Sequence, residues 1–385
     1  MKKVRLAILS CAWLAVLIFF AGCGGGGPRS PRNQPIRIGV SLPLTGDSAV
    51  WGKSQKNGYD LAAEQVNAEG GIHGRRIELI YGDDQGLARV GVTVLQRFID
   101  VDKIEALTGV ANSSVALADI PIINRNKVLL ISSGASSPKL TGASKYFFRT
   151  WPSDIAEALA MAKFAAEVSH VKTVSCLYIN NDYGVGLVMP FAKRFSELGG
   201  KILDEEAFEQ GATDLRAQLT KIKEQDPGAI YLAGNPPEMG RAITQARQLG
   251  VTNRFLSIST LNDASVLAFV KKSDIEGTII TDASFDPSSG WPEARKFMLD
   301  FRAKYHREPG ILANTAYDAL MILSKAIGKV GTNADALSHY LHSMKAYHGV
   351  AGTIDFTTGG DIDRPIRISV AKNGRFEVIE HDYRE

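Results

Sequence analysis

The chain has little cysteine, only three in 385 residues. Cys11 and Cys23 lie near the N-terminus, which leaves Cys176 alone in the long sequence that follows. Cys176 lies in the apolar run 173–179, a position typical of a small buried side chain. We therefore expect no internal disulfide. The fold must be stabilised by burial of apolar surface, and the remaining ~350 residues are enough for two full-sized domains.

The chain also lacks an excess of positive charge outside its first residues. Its formal net charge of +3 comes from residues 1–22, which hold three of the 44 Lys and Arg and none of the 41 Asp and Glu. The rest of the chain therefore carries 41 residues of each sign. Because no basic block is available to follow a phosphate backbone, nucleic-acid binding is not expected.

Motifs of catalysis and cofactor binding are missing as well. No Gly-x-Ser-x-Gly, Walker or zinc-protease motif occurs, and Gly184-Val-Gly186 lacks the third glycine of a dinucleotide-binding fingerprint. His339 and His342 are spaced i, i+3, but without a third ligand they indicate a solvated helix face rather than a metal site. We expect no enzyme activity, no cofactor and no metal.

The N-terminal segment has the features of a secretion signal. Basic residues within the first five positions precede the apolar run 6–20, and Ala21-Gly22-Cys23 follows. A charged start, a short apolar run and small residues at the end are typical of a cleaved secretory signal. A run of this length would span only ~22 Å as a helix, which is too short for a comfortable membrane anchor.

The ending Ala21-Gly22-Cys23 resembles the lipobox of bacterial lipoproteins, in which the cysteine is lipid-modified and becomes the first residue of the mature chain. We predict a signal peptide over 1–22, lipidation of Cys23 and a tether over 23–35, whose Gly-rich and Pro-containing sequence has no apolar residue to bury. The protein would then be periplasmic or at the cell surface, anchored to a membrane. The alternative is an ordinary cleaved signal in which Cys23 is incidental.

The remaining sequence alternates strand-like and helix-like segments in two series. In the first series, the β-rich run 36–42 precedes a helical pattern over 52–68; the second begins near Trp151 and includes a strand over 173–179. Strands that alternate with helices predict parallel sheets covered on both faces. We therefore expect an α/β fold of two doubly wound parallel-sheet lobes. Near the C-terminus, the Asn373-Gly374 turn predicts a hairpin.

Six short stretches occur in a defined order along the chain. They are GVSLPLTG at 39–46, VNAEGGIHG at 66–74, SSPKL at 136–140, NDYGVG at 181–186, PEMG at 237–240 and AYDA at 316–319. In this order, behind a secretion signal, they resemble the Leu/Ile/Val-binding (branched-chain amino acid) family of type I periplasmic solute-binding proteins. The resemblance covers residues 36 to 380.

The resemblance implies that the chain crosses between the lobes three times, near residues 149–153, 281–285 and 355–363, to form a three-strand hinge. The lobes would then comprise 36–151 plus 284–358 for lobe 1 and 152–283 plus 359–385 for lobe 2. It also implies a monomer that binds an amino acid, or a related small carboxylate or amide, between the lobes and presents it to the membrane permease of an ABC transporter. A ligand-sensing extracellular receptor component and a secreted α/β enzyme are the alternatives.

Polar loops follow two strands of the predicted first lobe, where ligands bind in open α/β sheets. Ser113 opens a helix, and Gly134, Ala135 and Ser136 lie in the loop after the next strand. The resemblance places Ser113 on the ligand carboxylate. It implies that the Gly134–Ser136 loop holds the ammonium through a carbonyl and the carboxylate through an N–H and a hydroxyl. The alternatives are a plain N-cap at Ser113 and a polar loop that merely covers the sheet.

Two aromatic residues match positions where members of this family present a ring to the ligand from opposite lobes. Trp51 stands in a Gly- and Ser-rich turn, and Tyr183 stands just ahead of a helix. An aromatic clamp suits a cleft that closes over an apolar side chain or a cation. The alternative for each ring is ordinary packing between the lobes.

The sequence departs from the family pattern on the ammonium side of the site. Ser259 or Thr260 stands where amino-acid-binding members carry an acidic residue, and Asn235 replaces a tyrosine. A buried ammonium without a carboxylate is unfavourable by several kcal/mol. Either Asp263 or Asp282 supplies the charge from another direction, or the ligand has no ammonium, as in amides, keto acids and aromatic carboxylates.

Overall fold

Two large sheets covered by helices and a small two-stranded sheet of residues 347–354 make up this protein in a computed structural model, which describes residues 34–283 and 290–383. The predicted α/β fold with parallel sheets in two lobes is confirmed. The predicted signal peptide, Cys23 and most of the tether lie outside the described residues, as do residues 284–289 at the second predicted crossing. None of the helices in the described ranges combines the length and the apolar character needed to span a bilayer.

The strands and helices follow one another along the chain in largely alternating order. They are β1 (Ile36–Leu42), α1 (Ala49–Ala68), β2 (Ile77–Asp83), α2 (Ala88–Arg97), β3 (Ala106–Gly109), α3 (Ser113–Asn126), β4 (Leu130–Ser132), β5 (Phe147–Arg149), α4 (Asp154–Lys163), β6 (Thr173–Ile179), α5 (Asp182–Glu197), β7 (Lys201–Phe208), α6 (Arg216–Gln225), β8 (Ala229–Ala233), α7 (Pro236–Gln248), β9 (Arg254–Ser257), α8 (Ala264–Phe269), α9 (Lys272–Ile275), β10 (Ile279–Asp282), α10 (Pro292–Tyr305), α11 (Ala313–Val330), α12 (Ala334–Ser343), β11 (Tyr347–Gly349), β12 (Gly352–Ile354), β13 (Arg367–Lys372) and β14 (Arg375–Glu380).

The sheet of the first lobe has five parallel strands in the order β2-β1-β3-β4-β5. Because helices cover it, its central strands are apolar almost throughout, and Ile38, Val40 and Leu107 are fully buried. Helix α11 packs against α1 and touches β3 and β4. A late segment of the chain therefore completes the core of the first lobe.

The sheet of the second lobe has seven strands in the order β14-β13-β10-β9-β8-β6-β7. Strands β10, β9, β8, β6 and β7 are parallel, and β13 and β14 add an antiparallel edge. Cys176 is fully buried in β6, as predicted. The predicted hairpin is also confirmed, since Asn373 and Gly374 turn between β13 and β14 with φ of 53° and 77°. Two successive positive φ values are typical of a two-residue type I′ turn.

Arg149 ends β5 at the point where the chain leaves the first lobe, and its side chain is fully buried. Its Nε donates to Asp361 Oδ1 at 2.6 Å and its Nη1 to the carbonyl of Ser137 at 3.0 Å. Asp361 lies between β12, in the small two-stranded sheet, and β13, in the sheet of the second lobe. This ion pair therefore ties the end of β5 to the late segment that leads into β13.

The sequence pattern misses several short elements. Strand β5 has three residues and α9 has four, lengths at which neither a two-residue nor a helical period can be recognised. The turn predicted around Trp51 is instead the start of α1. Gly52 and Ser54 disfavour a helix locally, but Trp51, Gln55 and Tyr59 form one buried face, and this packing outweighs intrinsic propensity.

Candidate functional site

A cavity lies between the lobes, where loops from the carboxyl ends of β3, β4, β6 and β9 converge. Six of the predicted site residues line it: Trp51, Ser113, Gly134, Ser136, Tyr183 and Ser259. The other lining residues are Ala111, Asn112, Trp151, Glu157, Thr260, Ile311 and Leu312. In this closed arrangement its volume is about 30 Å³, which leaves room for water but not for a larger solute. A ligand therefore reaches the cavity only when the lobes or their side chains move apart.

Ser113 is the first residue of α3, and Asn112 rather than Ser113 occupies the N-cap position. The Ser113 hydroxyl oxygen accepts hydrogen bonds from the backbone N–H groups of Ser136 and Ser137 at 3.2 and 3.1 Å. These two bonds use both lone pairs of the oxygen, so its proton is left to donate elsewhere. Ser113 lines the cavity, and its hydroxyl is therefore suited to donate to an anion beside the N-terminus of α3.

The loop after β4 is held by its own hydrogen bonds. Ser132 Oγ accepts the N–H of Ala135 at 3.0 Å and donates to the carbonyl of Val110 at 2.9 Å. A Cβ on Gly134 would lie 2.9 Å from Gln55 Nε2 and 3.1 Å from the Ala111 backbone, so only glycine fits without a shift. These contacts restrict the loop that carries Ser136.

Two residues beside the cavity have unfavourable backbone conformations. Val110 has φ of 48° and Leu312 has φ of 70°, both in the left-handed region that side chains of this size avoid. Val110 directly precedes the lining residue Ala111, and Leu312 lines the cavity itself. Strained residues of this kind collect at ligand-binding sites, where surrounding contacts maintain them.

Trp51 and Tyr183 face each other across the cleft. Their ring planes are 89° apart and their centroids are separated by 5.9 Å. Tyr183 is the second residue of α5 rather than a residue ahead of it, and its N–H is accepted by the N-cap residue Asn181. Its hydroxyl lies 3.1 Å from Thr260 Oγ1, which fixes the ring against the loop after β9.

Further contacts hold the lobes together outside the cavity. Ser114 Oγ donates to Asp182 Oδ2 at 2.8 Å, and Lys139 pairs with Asp182 Oδ1 at 2.9 Å. The backbone N–H of Asp154 donates to the carbonyl of Ser136 at 2.9 Å. Each bond joins an element of the first lobe to one of the second, so the structure is that of the closed cleft.

Four predicted residues do not line this cavity. Ala135 and Asn235 are fully buried, Ala135 within its loop and Asn235 at the N-cap position of α7. Asp263 caps α8 by accepting the N–H of Ser265 at 2.8 Å. Asp282 pairs with Arg367 at 2.7 Å.

Asp263 and Asp282 instead line a separate, more open cavity of about 590 Å³. Neither carboxylate contributes to the walls of the cavity that holds Ser113. The structure therefore does not bring the two predicted acids together with the serines.

Glu157, in the first turn of α4, is the one charged residue among the described lining residues, and the sequence pattern missed it. Its side chain is 3% exposed, and its Oε1 has no hydrogen-bond partner among the described residues. Burial raises the pKa of Glu157 well above its usual range, and the nearby carboxylates of Asp154 and Asp282 add to the shift. In the sequence, acids in a first helical turn are ordinary, since they favour the positive end of the helix dipole, so nothing marked Glu157.

Asp154 lies one turn before Glu157 and is fully enclosed, although it does not line the cavity. Burial raises its pKa to about 7, and the Ser136 hydroxyl and the Arg149 guanidinium oppose that shift. Both acids lie in the first turn of α4, but only Glu157 reaches the cavity.

Comparison with known proteins shows the family to which this chain belongs. The sequence profile of the family described as periplasmic binding protein matches residues 35–375. The Leu/Ile/Val-binding protein homolog 2 of Brucella abortus (strain 2308) is 30% identical over 328 residues, which cover 85% of this chain and 87% of that protein.

Two solved structures have the same fold. A leucine-binding protein from Thermotoga maritima MSB8 has a TM-score of 0.83 at 29% identity, and the match covers 89% of this chain and 97% of that one. The second is a branched-chain amino acid transporter substrate-binding protein from Streptococcus pneumoniae, solved with isoleucine. It has a TM-score of 0.81 at 27% identity, and the match covers 90% of this chain and 99% of that one. These relatives are named as binding proteins rather than as enzymes.

Proposed function

Since the chain belongs to the periplasmic binding protein family, we propose that it captures a small solute between its two lobes and delivers it to the membrane permease of an ABC transporter. The resemblance to Leu/Ile/Val-binding proteins is confirmed by the family match. The observation that carries the proposal is the interlobe cavity, in which side chains of both lobes converge at the carboxyl ends of the strands. A ligand held by both lobes favours the closed form, which a transporter can distinguish from the open one.

The proposed ligand is an amino acid, branched-chain by default, or a related small carboxylate or amide. The spare proton of the Ser113 hydroxyl, beside the N-terminus of α3, supports recognition of a carboxylate. The apolar walls formed by Trp51, Ile311 and Leu312 support an apolar side chain. The relative named as a leucine-binding protein and the one solved with isoleucine agree with both features.

We further propose that the protein does not turn its ligand over and acts as a monomer. Among the described residues that line the cavity, no histidine, lysine or cysteine is present to form a nucleophile and base pair with a serine. The lining instead combines apolar walls with polar side chains, as a binding pocket does.

The proposed location is the outer side of a membrane, with residues 1–22 removed and Cys23 lipidated. The support is the charged start, the apolar run and Ala21-Gly22-Cys23, followed by a tether without apolar residues. Metabolic labelling with a fatty acid should mark the wild-type protein and not Cys23→Ala. A labelled Cys23→Ala would contradict the lipoprotein proposal.

A thermal-shift panel tests the binding function. Purified protein, dialysed from denaturant to remove bound solute and refolded, is heated with branched-chain amino acids, their amides, their keto acids and benzoate. One chemical class should raise the melting temperature, since a ligand at 100 times its Kd stabilises the folded state by about 2.7 kcal/mol. A panel in which nothing shifts the melting temperature would contradict the proposed ligand range.

A further inference from the structure

Glu157 is the only acidic side chain among the described residues that line the interlobe cavity, and no lysine or arginine lines it. It comes from α4 of the second lobe, whereas Ser113 and Ser136 come from the first. The residues after β9 that line the cavity, Ser259 and Thr260, are neutral. The cavity thus has serine hydroxyls on one lobe and one carboxyl group on the other.

The Glu157 carboxyl has few hydrogen-bond partners among the described residues. It is 3% exposed, and its Oε1 has no hydrogen-bond partner among the described residues. The backbone N–H of Ala283 stabilises the charged form of Glu157, but the effect of burial on the pKa of Glu157 is larger. A buried carboxylate oxygen without a partner is unfavourable, so the group either keeps a proton or receives a donor from a molecule in the cavity.

The groups that surround Glu157 make the site favourable to a cation. Asp154 lies on the same helix and Asp282 ends β10, and both raise its pKa. The hydroxyls of Tyr183 from α5 and Tyr231 from β8 are neutral, because burial raises their pKa values well above the usual range. The guanidinium of Arg149, whose charge acts on Asp154, is paired with Asp361.

Arg367 is paired with Asp282, so it neutralises that carboxylate rather than Glu157. A positively charged ligand group beside Glu157 would therefore meet carboxylates that are only partly compensated. The positive charge of such a group also favours the deprotonated form of Glu157.

We propose, on the basis of the binding function above, that Glu157 receives the ammonium group of the ligand and that the ligand is accordingly an α-amino acid rather than a keto acid, an amide or an aromatic carboxylate. The carboxylate lies against Ser113 of the first lobe, and the ammonium lies against Glu157 of the second. One small zwitterion then bridges the two lobes, because each lobe holds one of its two charges when the cleft is closed. Glu157 takes the role that Asp263 and Asp282 do not fill.

Binding would include a proton step. The Glu157 carboxyl group gives its proton to solvent, and the resulting carboxylate accepts hydrogen bonds from a ligand that arrives already as an ammonium. Titration calorimetry of wild-type protein with leucine in two buffers of different ionisation enthalpy measures this release directly. Proton release that grows as the pH of the experiment is lowered supports the proposal, and binding of leucine without release at every pH at which the protein is folded overturns it.

Substitution tests the same idea. Glu157→Gln keeps the shape and removes the charge. Glu238→Gln is the matched control, because it is the same substitution at a buried glutamate of the second lobe that does not line the cavity. Glu157→Gln should weaken leucine binding by roughly 100-fold, abolish the proton release and leave binding of 4-methyl-2-oxopentanoate unchanged or stronger. Glu238→Gln should change leucine affinity by less than about tenfold.

The outcomes separate this inference from the proposed function. If wild-type protein binds the keto acid or benzoate but no amino acid, it is a solute-binding protein and the Glu157 inference is overturned. If Glu157→Gln loses leucine and the keto acid equally, its role is structural and the inference also fails. If wild-type protein binds none of the panel, both proposals fail together.

Discussion

The indole of Trp51 and the phenol ring of Tyr183 meet edge-on across the cleft, with ring centroids 5.9 Å apart. Trp51 belongs to α1 of the first lobe and Tyr183 to α5 of the second. The two rings therefore touch only when the lobes are close together. An edge-to-face pair contributes about 0.5–1.5 kcal/mol beyond the area that it buries, so this contact stabilises the closed cleft.

Loss of the Tyr183 ring should weaken ligand binding. We expect Tyr183→Ala to lower affinity by roughly tenfold to 100-fold, because the cleft loses one half of its aromatic clamp. Tyr183→Phe is the control: it keeps the ring and loses only the hydroxyl near Thr260, so its loss should stay within about tenfold. Titration calorimetry with the ligand from the thermal-shift panel gives both values. Equal losses in the two variants would assign the effect to the hydroxyl rather than the ring.

Loss of the Ser113 hydroxyl should weaken binding of ligands that carry a carboxylate. Ser113→Ala removes the proposed donor and also leaves the N–H groups of Ser136 and Ser137 without their acceptor. We expect affinity for leucine to fall by roughly tenfold to 100-fold. Ser114→Ala is the matched control, because Ser114 contacts Asp182 outside the cavity, and it should affect leucine binding less. A Ser113→Ala protein that fails to fold would indicate a structural role instead.

The buried pair of Arg149 and Asp361 should be important for stability. Asp361→Asn leaves a fully buried guanidinium without its carboxylate, which we expect to lower the free energy of unfolding by about 3–5 kcal/mol. Asp335→Asn breaks the exposed pair with Lys145 and should leave stability nearly unchanged. Urea unfolding followed by circular dichroism compares the two. Similar midpoints for both variants would show that the Arg149 pair is not a main contributor.

Asp318 should make stability depend on pH with a predictable sign. Burial raises its pKa from 3.8 to about 7, although hydrogen bonds from the Val350 backbone and the Arg364 charge oppose this shift. The folded state therefore holds a proton that the unfolded state has released. This contribution to stability is fully present below the unfolded pKa and is lost as pH rises towards 7.

Asp318→Asn cannot ionise and should remove that part of the pH dependence. Any loss of hydrogen bonding by the amide is the same at every pH. The free energy of unfolding of the variant, relative to that of wild type, should therefore increase between about pH 4 and 7, by at most about 1.4 kcal/mol for each unit by which the pKa of Asp318 is raised. Urea unfolding at several pH values measures the difference. Asp335→Asn is the control, since the Lys145 hydrogen bond lowers the pKa of Asp335 to about 2 and its titration falls below this range. A constant offset between wild type and Asp318→Asn would contradict the prediction.

Much of the cavity could be predicted from residues that directly follow strands. Ser113, Ser136 and Tyr183 come within a few residues of the ends of β3, β4 and β6, and the parallel pattern places those ends on one edge of each sheet. Position after a strand was not sufficient for Asp263 and Asp282. Both lie near the ends of β9 and β10, but Asp263 turns back to cap α8 and Asp282 pairs with Arg367 from β13.

The sequence by itself determined the alternation of strands and helices, the two parallel sheets and the serine loops that line the first-lobe side of the cavity. These features depend on apolar periodicity and on the order of elements, which are local properties of the chain. Only the tertiary structure decided that Glu157, rather than Asp263 or Asp282, is the acid of the cavity. Which face of α4 meets the cleft depends on how that helix packs in its own lobe and on how the two lobes close, and neither is encoded in the spacing of nearby residues.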